Sequence, residues 1–281
     1  MRLINLEGRA GLEVDGRFID LATRSDGRFS SDPMGIFPML DEVRAWGADQ
    51  AIGERDPEVD PKRLGPVVPR PAQVFAIGLN YKDHAEEAGL PEPQTPMVFT
   101  KFPSCLAGPH AEIPLTSDRV DWEVEQVVVI GREAKGVSAA RAWDHVAGFC
   151  VGQDISDRRL QFSDKPPQFS LGKSARAFGP IGPALVSLDE FDDPDRLVLR
   201  CRVDGEEMQS STTANLIFSV PELIEYISGY CTLLPGDLIF TGTPGGVGSV
   251  REPRRYLRAG ETIESEIEGI GLLSNRCIER I

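Results

Sequence analysis

The 281-residue chain lacks any apolar run approaching the 18 or so residues of a membrane span, and its N-terminus, MRLINLEGRAGLEV, carries charges where a secretion signal has its apolar stretch. It also lacks a run of lysine and arginine. With 30 basic and 44 acidic residues the net charge is −14, which argues against nucleic acid or an anionic membrane as partner. Cysteine is sparse: Cys105, Cys150, Cys201, Cys231 and Cys277 show no CxxC spacing, and an odd number in a large core points to reduced, buried thiols in a cytoplasmic protein. No GxxxxGK[ST] loop is present, and no GxGxxG follows a strand with a ribose-binding acid downstream, so the two common phosphate cradles are excluded.

What remains is an ordinary globular composition at 30.8 kDa, enough for one large domain or a large and a small one. Residues 1–68 read as a small N-terminal α+β domain, with short alternating pieces and a helical stretch in FPMLDEVRAWGADQAIGE. Pro66, Pro69 and Pro71 then mark an extended linker. Residues 69–281 alternate short strands (QVFAIG, MVFTKF, VEQVVVIG, HVAGFCVGQD, PALVSL, LVLRCRVDG, GDLIFTGT, ETIESEIEG) with Gly, Pro and Asp turns. Helical signals are confined to YKDHAEEAG, SAARAWDHV and VPELIEYISGYC. The expectation is a strand-rich α+β fold without a βαβ repeat.

Three acids and a lysine stand in apolar or glycine-rich surroundings, where a charge is costly. In VDWEVEQVVVIG, alternation puts Glu123, Glu125, Val127 and Val129 on one strand face. At about 3.3 Å rise per residue the two carboxylates stand roughly 6 to 7 Å apart, within reach of one shared cation. Asp154 ends the apolar run VAGFCVGQD, and Lys173 lies in FSLGKS. Buried carboxylates need a counter-charge or take up protons, and oxygen donors without His or Cys favour Mg²⁺, Mn²⁺ or Ca²⁺ over zinc. Two alternatives stay open at this level: a solvated strand face, common in an acidic chain, and a glycosidase acid pair, which predicts aromatic sugar platforms although only Trp122 is near.

GLNYKDHAEEAGL predicts a short helix from Tyr81 to about Ala88, capped by Asn80 and stopped by Gly89. His84 and Glu87, three apart, share a face, so the carboxylate can orient the imidazole. So short a helix is marginal alone, which suits a lid that orders when the site fills. Thr241 and Thr243 sit in the loop TGTPGGVG, whose backbone can approach a ligand closely. Arg158 and Gln161 follow Asp154, and Arg158 either clamps a substrate carboxylate or lies on the surface. Lys101 and His110 in KFPSCLAGPH read as structural or surface residues.

GLNYKDHAEE, DWEVE, VGQDISDRRLQ, LGKS with FGPIGP, PGDLIFTGTPGGVG and LRAGETIESEIEGIG, in that order, resemble the motif series of the fumarylacetoacetate hydrolase superfamily from about residue 73 to the C-terminus. The resemblance implies a rolled, mixed-sheet catalytic domain, a homodimer, and Mg²⁺ or Mn²⁺ on Glu123, Glu125 and Asp154. It also implies Lys173 as the catalytic lysine, His84 and Glu87 as the lid pair, and Arg158, Gln161 and Thr243 as substrate contacts. Two departures stand out: Arg158-Arg159-Leu160-Gln161 replaces RDxQ, and Ala175, Arg176 and Ala177 replace the usual aromatic or acidic residues after the lysine and serine.

The chemistry expected is enolate formation from a 2-oxo acid. The first reading is hydrolysis of an acylpyruvate-like 2,4-dioxo acid, with His84 deprotonating water. Decarboxylation or isomerisation of a 2-oxo dicarboxylate is the second reading. A Ca²⁺-stabilised, non-enzymatic β-protein is the third, and it leaves Lys173 and the His84/Glu87 helix unexplained.

Overall fold

The computed structural model describes residues 1–53 and 56–279. Within them the strands form a ten-stranded sheet, a five-stranded sheet and a two-stranded ladder. The large sheet runs in the order Arg17–Asp20, Arg9–Val14, Arg2–Leu6, Gly179–Val186, Val146–Gln153, Val124–Ile130, Leu238–Phe240, Val74–Gly78, Met97–Thr100, with Leu106–Ala107 beside Gly179–Val186. Its ladders are antiparallel except where Leu238–Phe240 meets Val74–Gly78 and where Leu106–Ala107 meets Gly179–Val186. The sheets are mixed and do not close into a barrel, so the strand-rich α+β expectation holds.

Val124–Ile130 explains why the acids end up buried. All seven of its residues are buried, and the period of two sends them into different cores. Val127 and Val129 pack with Ile36, Phe37, Leu40 and Val43. Val128 and Ile130 pack with Leu199, Cys201, Ile263 and Leu273 from the five-stranded sheet. A strand covered on both faces is favoured by roughly 1.5 to 3 kcal/mol for each fully buried aliphatic side chain. The acids preceding and interrupting this run are thereby carried inside.

The N-terminal segment is knit into the same sheet. Arg2–Leu6 pairs antiparallel with Gly179–Val186, and Val67 and Val68, at the boundary read from the prolines, are buried in the core that holds Val127. Most helical signals shrink in the structure. FPMLDEVRAWGADQAIGE yields a 3-10 turn, Pro33–Met39, then the helix Leu40–Gly47, because Pro38 cannot donate to a regular helix; Glu54 lies outside the described residues. SAARAWDHV forms only a 3-10 segment, Ala139–His145, whereas Val220–Ser228 is a full helix with a capping box from Ser219 and Glu222. Of the five thiols, Cys231 is exposed, contrary to the expectation of buried cysteines, and the other four are buried.

Candidate active site

Glu123 immediately precedes the strand Val124–Ile130, Glu125 is its second residue, and Asp154 follows the neighbouring strand Val146–Gln153. Antiparallel pairing sets Glu125 opposite Gly152, and Asp154 donates its backbone N–H to the carbonyl of Glu123 at 2.8 Å. Three carboxylate oxygens, one from each acid, consequently lie within 4.8 Å of one another, all buried. Glu125 is only 1% exposed, which removes the solvated-face alternative. Trp122 is fully buried and donates to the Gly246 carbonyl at 3.2 Å, so it is no sugar platform.

The cations nearby are all committed. Lys173 follows the short helix Phe169–Gly172 and donates to Glu123 Oε2 at 2.8 Å, Asp154 Oδ2 at 2.7 Å and Ser156 Oγ at 2.8 Å. Lys101 is buried rather than at the surface; it donates to Asp154 Oδ1 at 2.5 Å, to the Phe178 carbonyl at 3.2 Å and to the carbonyl of Lys173. Arg158 opens the helix Arg158–Gln161, which Asp157 caps, and is buried rather than on a surface loop. Its guanidinium donates to Asp121 Oδ2 at 2.8 Å, Glu123 Oε1 at 2.6 Å and Gln161 Oε1 at 2.9 Å, so the fork expected to clamp a substrate holds protein carboxylates here.

Charge bookkeeping shows what the cluster lacks. Asp121, Glu123, Glu125 and Asp154 oppose Lys101, Lys173 and Arg158, four carboxyl groups against three cations, and Glu125 is the one without a cationic partner. Burial works against the charge on Glu123, but Lys173 and Arg158 outweigh it and hold the carboxyl down at about 2. Burial pushes Glu125 well above the ordinary carboxylate range, and the charges of Asp154 and Glu123 push it further. Burial disfavours the Lys173 ammonium, yet Asp154 and Glu123 more than offset that and raise its pKa. A set of three converging oxygen donors with this imbalance fits a divalent, oxygen-preferring cation.

Facing the cluster across a cavity of about 380 Å³ is the helix Lys82–Ala88. His84, Glu123, Arg158, Gln161, Lys173 and Thr243 all line this cavity, whose outer wall is apolar with Phe99, Phe162 and Phe169. A larger groove of about 590 Å³ lies between Phe37–Arg44 and Gly131–Glu133, away from the acids. His84 Nδ1 stands 3.5 Å from Glu87 Oε2, which also accepts from the Gly246 N–H at 2.8 Å. Gly89 ends the helix at φ 65°, as expected. The expected cap does not form: Tyr81 occupies the N-cap position, and the Asn80 amide donates to Phe218 O and Thr241 O and accepts from Phe218 N. Thr243 donates to Val124 O at 2.9 Å and accepts from Gln209 at 2.8 Å, so it pins the glycine-rich loop to the acid-bearing strand.

Residues 73–278 match the family model described as fumarylacetoacetate (FAA) hydrolase C-terminal. The chain belongs to the fumarylacetoacetate hydrolase family. A mitochondrial oxaloacetate tautomerase, FAHD2A of Bos taurus, is 46% identical over 217 residues, covering 76% of this chain and 69% of the bovine protein. A Mycobacterium smegmatis structure provisionally named HpcE superposes with TM-score 0.94 at 46% identity, over 99% of each chain. Maleylpyruvate hydrolase from Sphingobium sp., solved with manganese(II) and pyruvate, shares the fold at TM-score 0.82 and 24% identity over the whole of both chains.

Within this family fold, Asp121 and Ser156, which the sequence reading did not single out, and Lys101, which it read as structural or surface, help build the site. Asp121 carries Arg158, Ser156 takes the third proton of Lys173, and Lys101 neutralises the second oxygen of Asp154. Ser156 and Asp121 face each other in the two-stranded ladder, a pairing between positions 35 residues apart that no local pattern announces. His110, partly buried, takes no part in the cluster; burial, then the Lys62 charge, lowers its pKa.

Proposed function

We propose that this protein is a divalent-metal-dependent hydrolase that splits the C3–C4 bond of an acylpyruvate-like 2,4-dioxo acid through an enolate of its 2-oxo acid half. One observation carries the reading: a single cavity is lined by Lys173 and by Glu123 of the carboxylate cluster and also by His84, whose Nδ1 stands 3.5 Å from Glu87. Glu123, Glu125 and Asp154 would hold Mg²⁺ or Mn²⁺, which polarises a 2-oxo oxygen and lowers the cost of negative charge there.

The protein's own groups do the rest. His84 takes a proton from water, and the resulting hydroxide adds to the C4 carbonyl. The C3–C4 bond then breaks, its electron pair passes to the enolate of the pyruvate half, and a proton returns to C3, giving pyruvate and a carboxylic acid. Lys173, locked between Glu123, Asp154 and Ser156, keeps a fixed positive charge beside the developing enolate. The walls of Phe99, Phe162 and Phe169 keep bulk water from that charge and leave room for an acyl group.

A second reading, keto–enol tautomerisation of oxaloacetate, is favoured by the 46% identity to the bovine tautomerase. In it His84 moves the C3 proton itself. Assays with Mg²⁺ on acylpyruvates and on enol-oxaloacetate, with product identification, separate the two. The hydrolase reading predicts that His84→Ala loses about 10² to 10⁴ of the C–C cleavage rate. Full cleavage by that variant, or no cleavage of any acylpyruvate alongside rapid conversion of enol-oxaloacetate, overturns it.

A further inference from the structure

Asp121 is wholly buried, carries no place in the acid triad, and spends all its acceptor capacity on four donors. Its Oδ1 accepts from the N–H groups of Trp122 at 2.9 Å and Gly248 at 2.7 Å. Its Oδ2 accepts from Ser249 N–H at 3.0 Å and from Arg158 Nε at 2.8 Å. One carboxylate therefore joins two otherwise separate parts of the cavity.

On one side is Arg158, which holds Glu123 Oε1 at 2.6 Å and Gln161 at 2.9 Å. On the other is the loop around Gly246–Ser249, which reaches the short helix through Gly246 N–H and Glu87 Oε2 at 2.8 Å. The loop is built to sit there. A Cβ on Gly248 would come within 1.9 Å of the Arg255 carbonyl and 2.7 Å of Asp121 Oδ1, and Gly246 holds φ +103° with the Met208 carbonyl 2.1 Å from where its Cβ would be. Trp122, next in sequence, donates to the Gly246 carbonyl and braces the same loop.

We propose that Asp121 is a positioning residue that couples the acid cluster to the His84 helix, along Glu123, Arg158, Asp121, Gly248/Ser249, Gly246 and Glu87. This rests on the acid cluster being a metal site. A cation drawing on Glu123 shifts the partner that Arg158 must satisfy, and Arg158 shares Asp121 with the loop that positions Glu87. Over its buried part, Glu123, Arg158 and Asp121, the network transmits a change because Asp121 has all four acceptor sites filled and cannot shift without leaving a donor unpaired, while the last link, Gly246 N–H to Glu87, lies at its exposed end. Asparagine at position 121 has one acceptor oxygen and one amino group, so it keeps the pair Trp122 and Gly248 or the pair Ser249 and Arg158, but not all four donors.

Hydrogen exchange of residues 82–89, with and without Mn²⁺ plus oxalate, tests the coupling in the full-length protein, with Mn²⁺ affinity measured in parallel by calorimetry. Wild type should show slowing of about fivefold or more in that segment, and Asp121→Asn should bind Mn²⁺ yet lose the slowing. Ser249→Pro, which removes one of the two loop N–H donors to Asp121, serves as a second variant should the first not fold, and should reduce the slowing. If wild type binds no Mn²⁺, the metal reading itself fails. If wild type responds and a folded variant responds equally, the metal reading stands and the coupling through Asp121 is wrong.

Discussion

At Asp154 two lysines meet one carboxylate, Lys101 on Oδ1 and Lys173 on Oδ2. Lys101→Met leaves Asp154 Oδ1 without its cation while Lys173 still holds Oδ2, so it should cost at least about 1 kcal/mol and less than the roughly 3 to 5 kcal/mol of a fully broken buried pair, read from urea unfolding. A loss below 1 kcal/mol would show that Asp154 does not depend on it. Glu125 lies at the opposite extreme, raised by burial and by its acidic neighbours. Glu125→Gln should raise the thermal midpoint of the metal-free protein, by about 2 to 4 °C for each kcal/mol of repulsion relieved, while weakening Mn²⁺ binding. A lowered midpoint with unchanged Mn²⁺ affinity would contradict this. Glu123, Glu125, Asp154 and Lys173 were legible because charges in apolar or glycine-rich runs demand compensation. Asp121 and Lys101 were not: nothing local separates them from other acids and lysines, and their partners lie 37 and 53 residues away in sequence.

The helix Lys82–Ala88 is seven residues long and relies on outside ties. Asp83 accepts from Ser211 Oγ at 2.7 Å, and Glu87 accepts from Gly246. Gly89 ends it in the left-handed region, which costs other residues roughly 1 to 2 kcal/mol. Gly89→Ala should thus speed hydrogen exchange in residues 82–89 by about five- to thirtyfold and leave the global unfolding midpoint nearly in place. Equal loss in both would show that the helix unfolds only with the whole protein. Helix position and glycine stop were readable from local chemistry. The fate of Asn80 was not, because its amide is satisfied by Phe218 and Thr241, which only the tertiary fold brings near.

Across the molecule, the sheet order Arg2–Leu6, Gly179–Val186, Val146–Gln153, Val124–Ile130 makes the N-terminal segment an outer extension of the sheet that carries the acids. Strand existence and alternation were legible in the sequence; the order was not, since register between strands more than a hundred residues apart leaves no periodic trace. Among the described residues no helix is long and apolar enough to cross a membrane. The central claim is that the buried acid cluster, which meets the cavity at Glu123, supports enolate formation from a 2-oxo acid. Deuterium uptake at C3 of 2-oxobutyrate in D₂O, followed by NMR, tests it without presupposing the second half-reaction. Uptake should require Mg²⁺ or Mn²⁺, cease on chelation, and fall by at least about tenfold in Glu125→Gln. Uptake that persists at the wild-type rate after chelation, or in Glu125→Gln, would contradict the account.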